Sequence, residues 1–326
     1  MLIRMVCPAP AGSLHGNRVT AVRWARILKD LGHRVAIAGD FDKERCDLLI
    51  ALHARRSAGA ILRFRACHAD KPLVVALTGT DLYKDLPRSE MARHSLEVAD
   101  RIVTLQPLAI EELEPALRGK VRVIYQSAER APRPARRPRE FFDVCVVGHL
   151  RPVKDPFRTA FAARRLPSSS RVRVWHAGVA MEDAMARKAR AEEARNPRYR
   201  WLGGISRAQA RRLIAECRLL VLSSRMEGGA NVISEAVVDG TPVIASRIPG
   251  SIGLLGKDYP GYFPVGETKA LADLLARAEA ERAFYNELVR HCARLVPLFR
   301  PSEERARWRN LLREISGGAA SAQTRK

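Results

Sequence analysis

The chain has 326 residues, 47% apolar and 28% charged, with 57 Lys plus Arg against 35 Asp plus Glu for a net charge of +22. That length suits two domains, each with room for its own core, and the composition excludes a disordered chain. No apolar run approaches the roughly 20 residues of a membrane helix. The N-terminus, MLIRMVCPAPAGS, carries too little apolar sequence for a secretory leader, so a cytoplasmic protein is expected.

Such an excess of positive charge attracts nucleic acid, anionic membrane surfaces or phosphorylated small molecules. Here it is spread along the whole chain, aromatic residues make up only 6%, and no RNA-recognition, KH or zinc-finger signature is present. Nucleic acid is therefore set aside as a partner. The six cysteines form no CxxC pair and read as small hydrophobes in a reducing compartment. The eight histidines make no HxxxH or HExxH pattern, and GxGxxG is absent, so neither a metal nor a cofactor is expected. No nucleophile elbow or Ser–His–Asp order supports a hydrolase.

In chain order, strand-like runs fall at 2–7, 34–38, 48–52, 73–77, 101–105 and 121–125. Helical spacing falls between them, clearest at 17–31, with Val19, Val22, Ala25, Ile27, Leu28 and Leu31, and Gly32 closes the run. Further helices are predicted at 55–68 and 88–99. A stretch with five arginines and three prolines follows at 128–140 and reads as a linker. Beyond it the theme repeats, with strands at 142–147, 172–176, 200–202, 219–222, 242–245 and 262–265. The helices predicted there are 156–165, 181–196, 206–216, 231–239, 269–278 and 282–296. A last helix is predicted near 302–315. The expected plan is a first Rossmann-like domain (1–127), a linker (128–140) and a second Rossmann-like domain (141–300). A C-terminal helix (301–316) and a disordered tail (317–326) follow. Alternating β and α units argue for an α/β fold of two parallel, doubly wound sheets, with ligand held in a cleft between the halves.

The stretch Leu219–Ser246 carries the clearest chemistry. A strand ends at Ser223, Glu227-Gly228-Gly229-Ala230 makes a small-residue turn, and a helix opens near Asn231 with Glu235 one turn inside it. Unpaired N–H groups at such a helix start attract phosphate, and a Glu there can accept from a sugar diol. A plain tight turn with a Glu favouring the helix dipole reads equally well from spacing alone. The loop Gly148-His149-Leu150-Arg151-Pro152-Val153-Lys154 offers cations to a departing diphosphate at the end of another strand of the same half. Its competing reading is a solvated basic loop. Two weaker candidates lie at strand ends of the first half: Pro8–Arg18, and Thr78-Gly79-Thr80-Asp81, the latter also readable as a turn that caps the next helix.

Glu227 and Glu235, the run Gly240–Ala245 and Lys154 upstream resemble the retaining-type glycosyltransferases of the GT-B fold, family 4. Further segments resemble the selenosugar synthases of selenoneine biosynthesis: HGNRVTAVRWARIL from His15, ALHARRS from Ala51, VVALTGTDLY from Val74, SSRMEGGANVISEA from Ser223 and GLLGKDYPGYFPVG from Gly253. The resemblance implies a hexosyltransferase that moves N-acetylglucosamine from its UDP-sugar donor to selenophosphate, with a C-terminal helix crossing back to the first domain. It implies Lys154 on the donor diphosphate, Ile205 beside the uracil, Glu235 on the ribose and Glu227 on the donor sugar. Gly148, Gly228, Gly229, Ala230 and Asn231 complete the donor set. The family's arginine after the strand-end glycine is His149 here, so Arg151 or Arg225 would supply the second cation. The usual Glu-x-Phe-Gly is Glu227-Gly228-Gly229-Ala230, which opens the pocket. Selenophosphate is already an anionic nucleophile, so no strong general base is required. Its binding residues are sought among Gly16, Asn17, Arg18, Thr78, Gly79, Thr80 and Asp81, with Arg55 or Arg56. Two alternatives stand beside this reading: a glycosyltransferase acting on a lipid or polysaccharide hydroxyl, and a non-catalytic nucleotide-sugar binding protein.

Overall fold

The computed structural model describes residues 1–13, 15–132 and 140–323. The chain divides into two compact units, one built from Met1–Gln126 with the C-terminal helix and the other from Ser127–Arg300. Most of the expected linker, 133–139, and the end of the expected tail, 324–326, lie outside the described residues.

The first unit runs β1 (Leu2–Val6), α1 (Gly16–Asp30), β2 (Arg34–Ala38), β3 (Leu48–Leu52), α2 (Ala58–Cys67) and β4 (Leu73–Ala76). It continues with α3 (Glu90–Glu97), β5 (Arg101–Thr104), α4 (Pro115–Arg118) and β6 (Val121–Val123). All six strands are parallel, in the order β2-β1-β3-β4-β5-β6. β3 and β4 are buried at every residue, which explains their unbroken apolar sequence: a parallel sheet is covered on both faces. Side chains alternate between the two covers. Leu49, Ala51, Leu73 and Val75 enter the cluster with Ile61 and Phe64 of α2, while Leu48, Ile50, Leu52, Val74 and Ala76 enter the one with Trp24 of α1.

The second unit runs β7 (Phe142–Val147), α5 (Arg158–Ala163), β8 (Val172–Ala177), α6 (Asp183–Arg195), β9 (Tyr199–Trp201) and α7 (Arg207–Glu216). Then come β10 (Leu219–Leu222), α8 (Asn231–Asp239), β11 (Val243–Ser246), α9 (Pro249–Leu255), β12 (Tyr262–Phe263), α10 (Thr268–Ala280) and α11 (Arg282–Leu295). This sheet is also parallel, in the order β12-β11-β10-β7-β8-β9. The strand order reverses between β7 and β10, so the loops leaving those two strands flank the switch point where doubly wound sheets hold ligands.

α12 (Pro301–Gln323) returns to the first unit and runs past the helix end expected at 316. Trp308 packs edge-on against Trp24 at 4.9 Å between ring centroids. Glu304, 1% exposed, accepts from Trp24 Nε1 (2.7 Å) and Arg23 Nε (3.3 Å). Glu314 receives Arg101 Nε (2.9 Å) and pairs with Arg122, whose hydrogen bonds hold its carboxyl below the usual range. A buried ion pair adds little net stability when complete, but removing one partner strands the other charge. Glu304→Ala is therefore expected to cost about 3–5 kcal/mol, read as a lower midpoint in equilibrium urea denaturation.

Candidate active site

The loop leaving β7 is clamped by the loop leaving β8. Gly148 N donates to Ala177 O (2.9 Å), and Leu150 pairs with Val179 and Ala180 in a short parallel bridge. Gly178 lies directly against the Gly148 carbonyl, where any Cβ would collide with backbone. Beneath them His176 is buried; its Nε2 donates to Gly148 O (3.3 Å), which leaves Nδ1 to accept from Tyr199 Oη (2.9 Å).

A single 3₁₀ turn, Pro152–Lys154, ends at Asp155 in the left-handed conformation (φ 43°, ψ 55°). This conformation, tolerated by Asp better than by most residues, turns the chain away and leaves Lys154 at the strand end. Arg158 Nε donates to Asp155 (2.9 Å) and Arg158 NH1 to Thr268 (2.6 Å), anchoring the turn from below. On the neighbouring strand, Ser223 Oγ donates to the carbonyls of Lys154 (3.2 Å) and Asp155 (2.9 Å), and Arg225 N donates to Val153 O (2.8 Å). The two loops are thus sewn together by backbone acceptors.

Across that seam Lys154 Nζ forms an ion pair with Glu227 Oε1, an oxygen that also accepts from Ser224 Oγ (2.6 Å). Ser224 is held in turn by Ser246 Oγ, which donates to its carbonyl (2.5 Å). The Glu227 backbone rests on Gly250 in the first turn of α9, again too close for a Cβ. Both partners are largely buried, with side chains 23% and 11% exposed. A recess beside them is lined by Gly148, Lys154, Pro156, Leu222, Ser223 and Ser224. With little water to screen the pair, its attraction is stronger than that of an exposed pair.

Gly228 and Gly229 lead to Ala230 at the N-cap of α8, whose own side chain makes no cap hydrogen bond. Glu235 is buried one turn further, 3.6 Å from Arg207 NH2. Ile205 is half-buried between Gly204, which runs against Val179, and the Ser206 cap of α7. Of the second-cation candidates, Arg225 reaches Asp155 (3.7 Å), whereas Arg151 is exposed and its side chain has no ion-pair partner among the described residues. His149 Nδ1 accepts from Val179 N (3.3 Å), so it serves the clamp.

The residues considered for an acceptor all lie in the first unit. β1, β3 and β4 are adjacent, so Gly16–Arg18 in the first turn of α1, Arg55 and Arg56 after β3, and Thr78–Asp81 after β4 follow neighbouring strand ends. Asp81 is fully buried, and its Oδ1 accepts from Thr78 N (2.9 Å) and Gly79 N (2.8 Å). Those two amides are therefore occupied by the chain's own carboxylate. Gly79 itself sits at φ 140°, which favours glycine. A turn of π-helix, Asp81–Asp85, begins at that carboxylate. Nearby, buried His53 lies 3.6 Å from Asp85, which also receives Arg55 (3.1 Å).

The family model for glycosyl transferases group 1 matches residues 127–294, more than half of the chain and nearly all of the unit just described. The chain belongs to this glycosyltransferase family. Solved structures agree on the fold over nearly the whole length. HepE from Anabaena, crystallised with UDP, shares 17% identity over 96% of this chain and 100% of that chain, with a TM-score of 0.76. Sucrose-phosphate synthase from Thermosynechococcus elongatus shares 16% over 97% and 99%, at 0.79. The UDP-forming α,α-trehalose-phosphate synthase from Burkholderia vietnamiensis shares 13% over 95% and 80%, at 0.69. The two parallel-sheet Rossmann-like units are those of a GT-B glycosyltransferase.

Several residues that build this glycosyltransferase site escaped sequence reasoning. Ser223, Ser224, Asp155 and Gly178 act through contacts between loops far apart in sequence. α9 was not expected either, although Pro249 at a helix start followed by an apolar run carries a signal for it. His176 is the most readily tested of these supports. Burial pushes its imidazole down to about 4 from 6.5, opposed by the hydrogen bond to Gly148 O. The unfolded chain takes up this proton near 6.5 and the folded one only near 4. The contribution of neutral His176 is thus complete above pH 6.5 and is lost as pH falls through that window, on the order of 3 kcal/mol. Denaturation midpoints measured from pH 7 to pH 4 should fall along this curve, and His176→Gln should remove that share of the slope.

Proposed function

We propose that this protein is a UDP-sugar-dependent hexosyltransferase that joins N-acetylglucosamine to the selenium of selenophosphate. The observation that carries the donor half is the Lys154–Glu227 pair at the β7/β10 switch point. In this reading the donor diphosphate takes Lys154 from Glu227, and the released carboxylate turns to the sugar hydroxyls. Glu235 accepts from the ribose, and Ile205 lies along the uracil. Gly148 and the Gly228–Asn231 segment keep backbone close to the phosphates and sugar. Arg151 or Arg225 supplies the second cation: both are exposed, and Arg225 lies 3.7 Å from Asp155.

A selenium lone pair attacks C1, the C1–O bond to the diphosphate breaks, and the electron pair leaves on UDP. Water then attacks phosphorus and breaks the Se–P bond, which gives inorganic phosphate and leaves the electron pair on selenium, where a proton from that water completes the selenol. Lys154 stabilises the charge that grows on the leaving diphosphate, a contribution that exists chiefly in the transition state. The selenophosphate half rests on the five segments that resemble selenosugar synthases, on the excess of positive charge available for two phosphorylated substrates, and on the nature of the acceptor. An anionic selenide needs no base to deprotonate it. The imidazole beneath the donor loops, His176, is held neutral and occupied by Gly148 and Tyr199. On the first unit, the acceptor would meet Gly16, Asn17, Arg18 and the side chains of Thr78 and Thr80, while Asp81 shapes the loop through Gly79.

Purified protein incubated with UDP-N-acetylglucosamine and selenophosphate should release UDP and yield a selenium-bearing sugar by mass spectrometry. Lys154→Ala should lower kcat by about 10²–10³-fold with an unchanged circular dichroism spectrum. UDP release at the buffer blank, or transfer only to lipid or polysaccharide hydroxyls, would overturn the assignment.

A further inference from the structure

α7 and α8 both follow strands of one parallel sheet, so they run side by side in the same direction. Two ion pairs join them, one turn apart on each helix. The lower is Arg211 with Asp239, where NH2 donates to both carboxylate oxygens at 2.7 and 2.6 Å. Its side chains are 12% and 1% exposed, and Asp239 also accepts from Ala131 N (2.8 Å). That rung is short, buried and cross-linked to the chain entering the unit, and it sets the register of the two helices.

The upper rung, Arg207 with Glu235, is built differently. Its NH2–Oε1 separation is 3.6 Å, too long for a hydrogen bond, and the Arg207 side chain is 52% exposed while Glu235 is at 11%. A half-exposed pair at that distance contributes little to stability. The helix does not account for the arginine either, since a cation in the first turn opposes the helix dipole. The capping box of α7 is made by Ser206 and Gln209, without Arg207. What remains is its position. Arg207 follows Ile205 by two residues and faces the carboxylate that reads the ribose.

We infer that Arg207 is a positioning residue for the nucleoside: by holding Glu235 Oε1 from the α7 side it orients the carboxylate toward the ribose hydroxyls and so sets selectivity for a ribonucleotide donor. The inference rests on the donor reading proposed above. Its chemistry is electrostatic. At 3.6 Å the guanidinium acts through its charge rather than a hydrogen bond, favouring one direction of a buried carboxylate whose value to a ligand depends on aiming at two vicinal hydroxyls. The lower rung keeps the helices in register whether or not the upper one is present, which allows Arg207 to be replaced without unfolding the chain.

Calorimetric titration of the full chain with UDP and with 2′-deoxy-UDP tests this directly. The wild-type protein should prefer UDP by about tenfold or more, as expected for loss of a hydrogen bond to a charged group. Arg207→Ala should weaken UDP binding and reduce that preference to about twofold or less, with the melting temperature unchanged. Arg211→Ala should lower the melting temperature and keep the preference. Wild-type binding of UDP with the preference retained in Arg207→Ala overturns the role of Arg207 alone. Equal loss of preference in both variants also overturns it, since the effect would then belong to helix register. Failure of the wild-type protein to bind UDP overturns the donor reading and this inference with it.

Discussion

The ion pair between Lys154 and Glu227 is the constraint on which the second unit's site depends. The two residues leave different strands, 73 positions apart in sequence, and meet because β7 and β10 are neighbours at the point where the strand order reverses. Each charge alone at that depth would be costly to bury, and together they neutralise one another. The supporting bonds converge on this pair: Ser223 on the Lys154 carbonyl, Ser224 on the Glu227 carboxylate, Ser246 on Ser224, and Gly250 beneath the Glu227 backbone. A ligand that replaces the pair's internal partner meets a site already shaped, so little ordering has to accompany binding.

Anionic groups are handled in two ways along the two sheets. At the start of α8 the N-cap is alanine, so no side chain of that residue takes the helix N–H groups. At the end of β4 the corresponding amides of Thr78 and Gly79 are taken by Asp81 of the same loop. A backbone nest that the chain fills itself, as at Thr78 and Gly79, is a structural device. The distinction bears on how a strongly positive protein of net charge +22 can be selective. Much of the arginine is committed to carboxylates and carbonyls. Arg65, Arg118, Arg158, Arg198 and Arg211, for instance, all tie one segment of the chain to another.

The alternation of strands and helices was plain in the sequence because parallel strands buried on both faces must be apolar throughout. β2, β3, β7, β10 and α8 have the limits that spacing predicts, since Gly, Asp and Pro punctuate them. Boundaries drifted where the signal is weaker: α2 begins at Ala58 rather than 55, and β6 stops at Val123. α9 and the π-turn at Asp81–Asp85 were not legible as elements, because short segments rich in glycine or charge have no reliable period. The final helix continues to Gln323 where a tail was expected after 316, its small residues Gly317–Ala320 having concealed the continuation.

By itself the sequence determined the two-fold α/β plan, because strand periodicity and turn glycines are local properties; its motifs carried the resemblance to the family and brought Glu227, Glu235 and Lys154 forward as candidates. Only the tertiary structure decided that Lys154 and Glu227 neutralise each other, that Asp81 takes the amides of Thr78 and Gly79, and that Glu235 faces Arg207. Those relations depend on which strands and helices lie side by side, and adjacency in a doubly wound sheet is not the order of the chain.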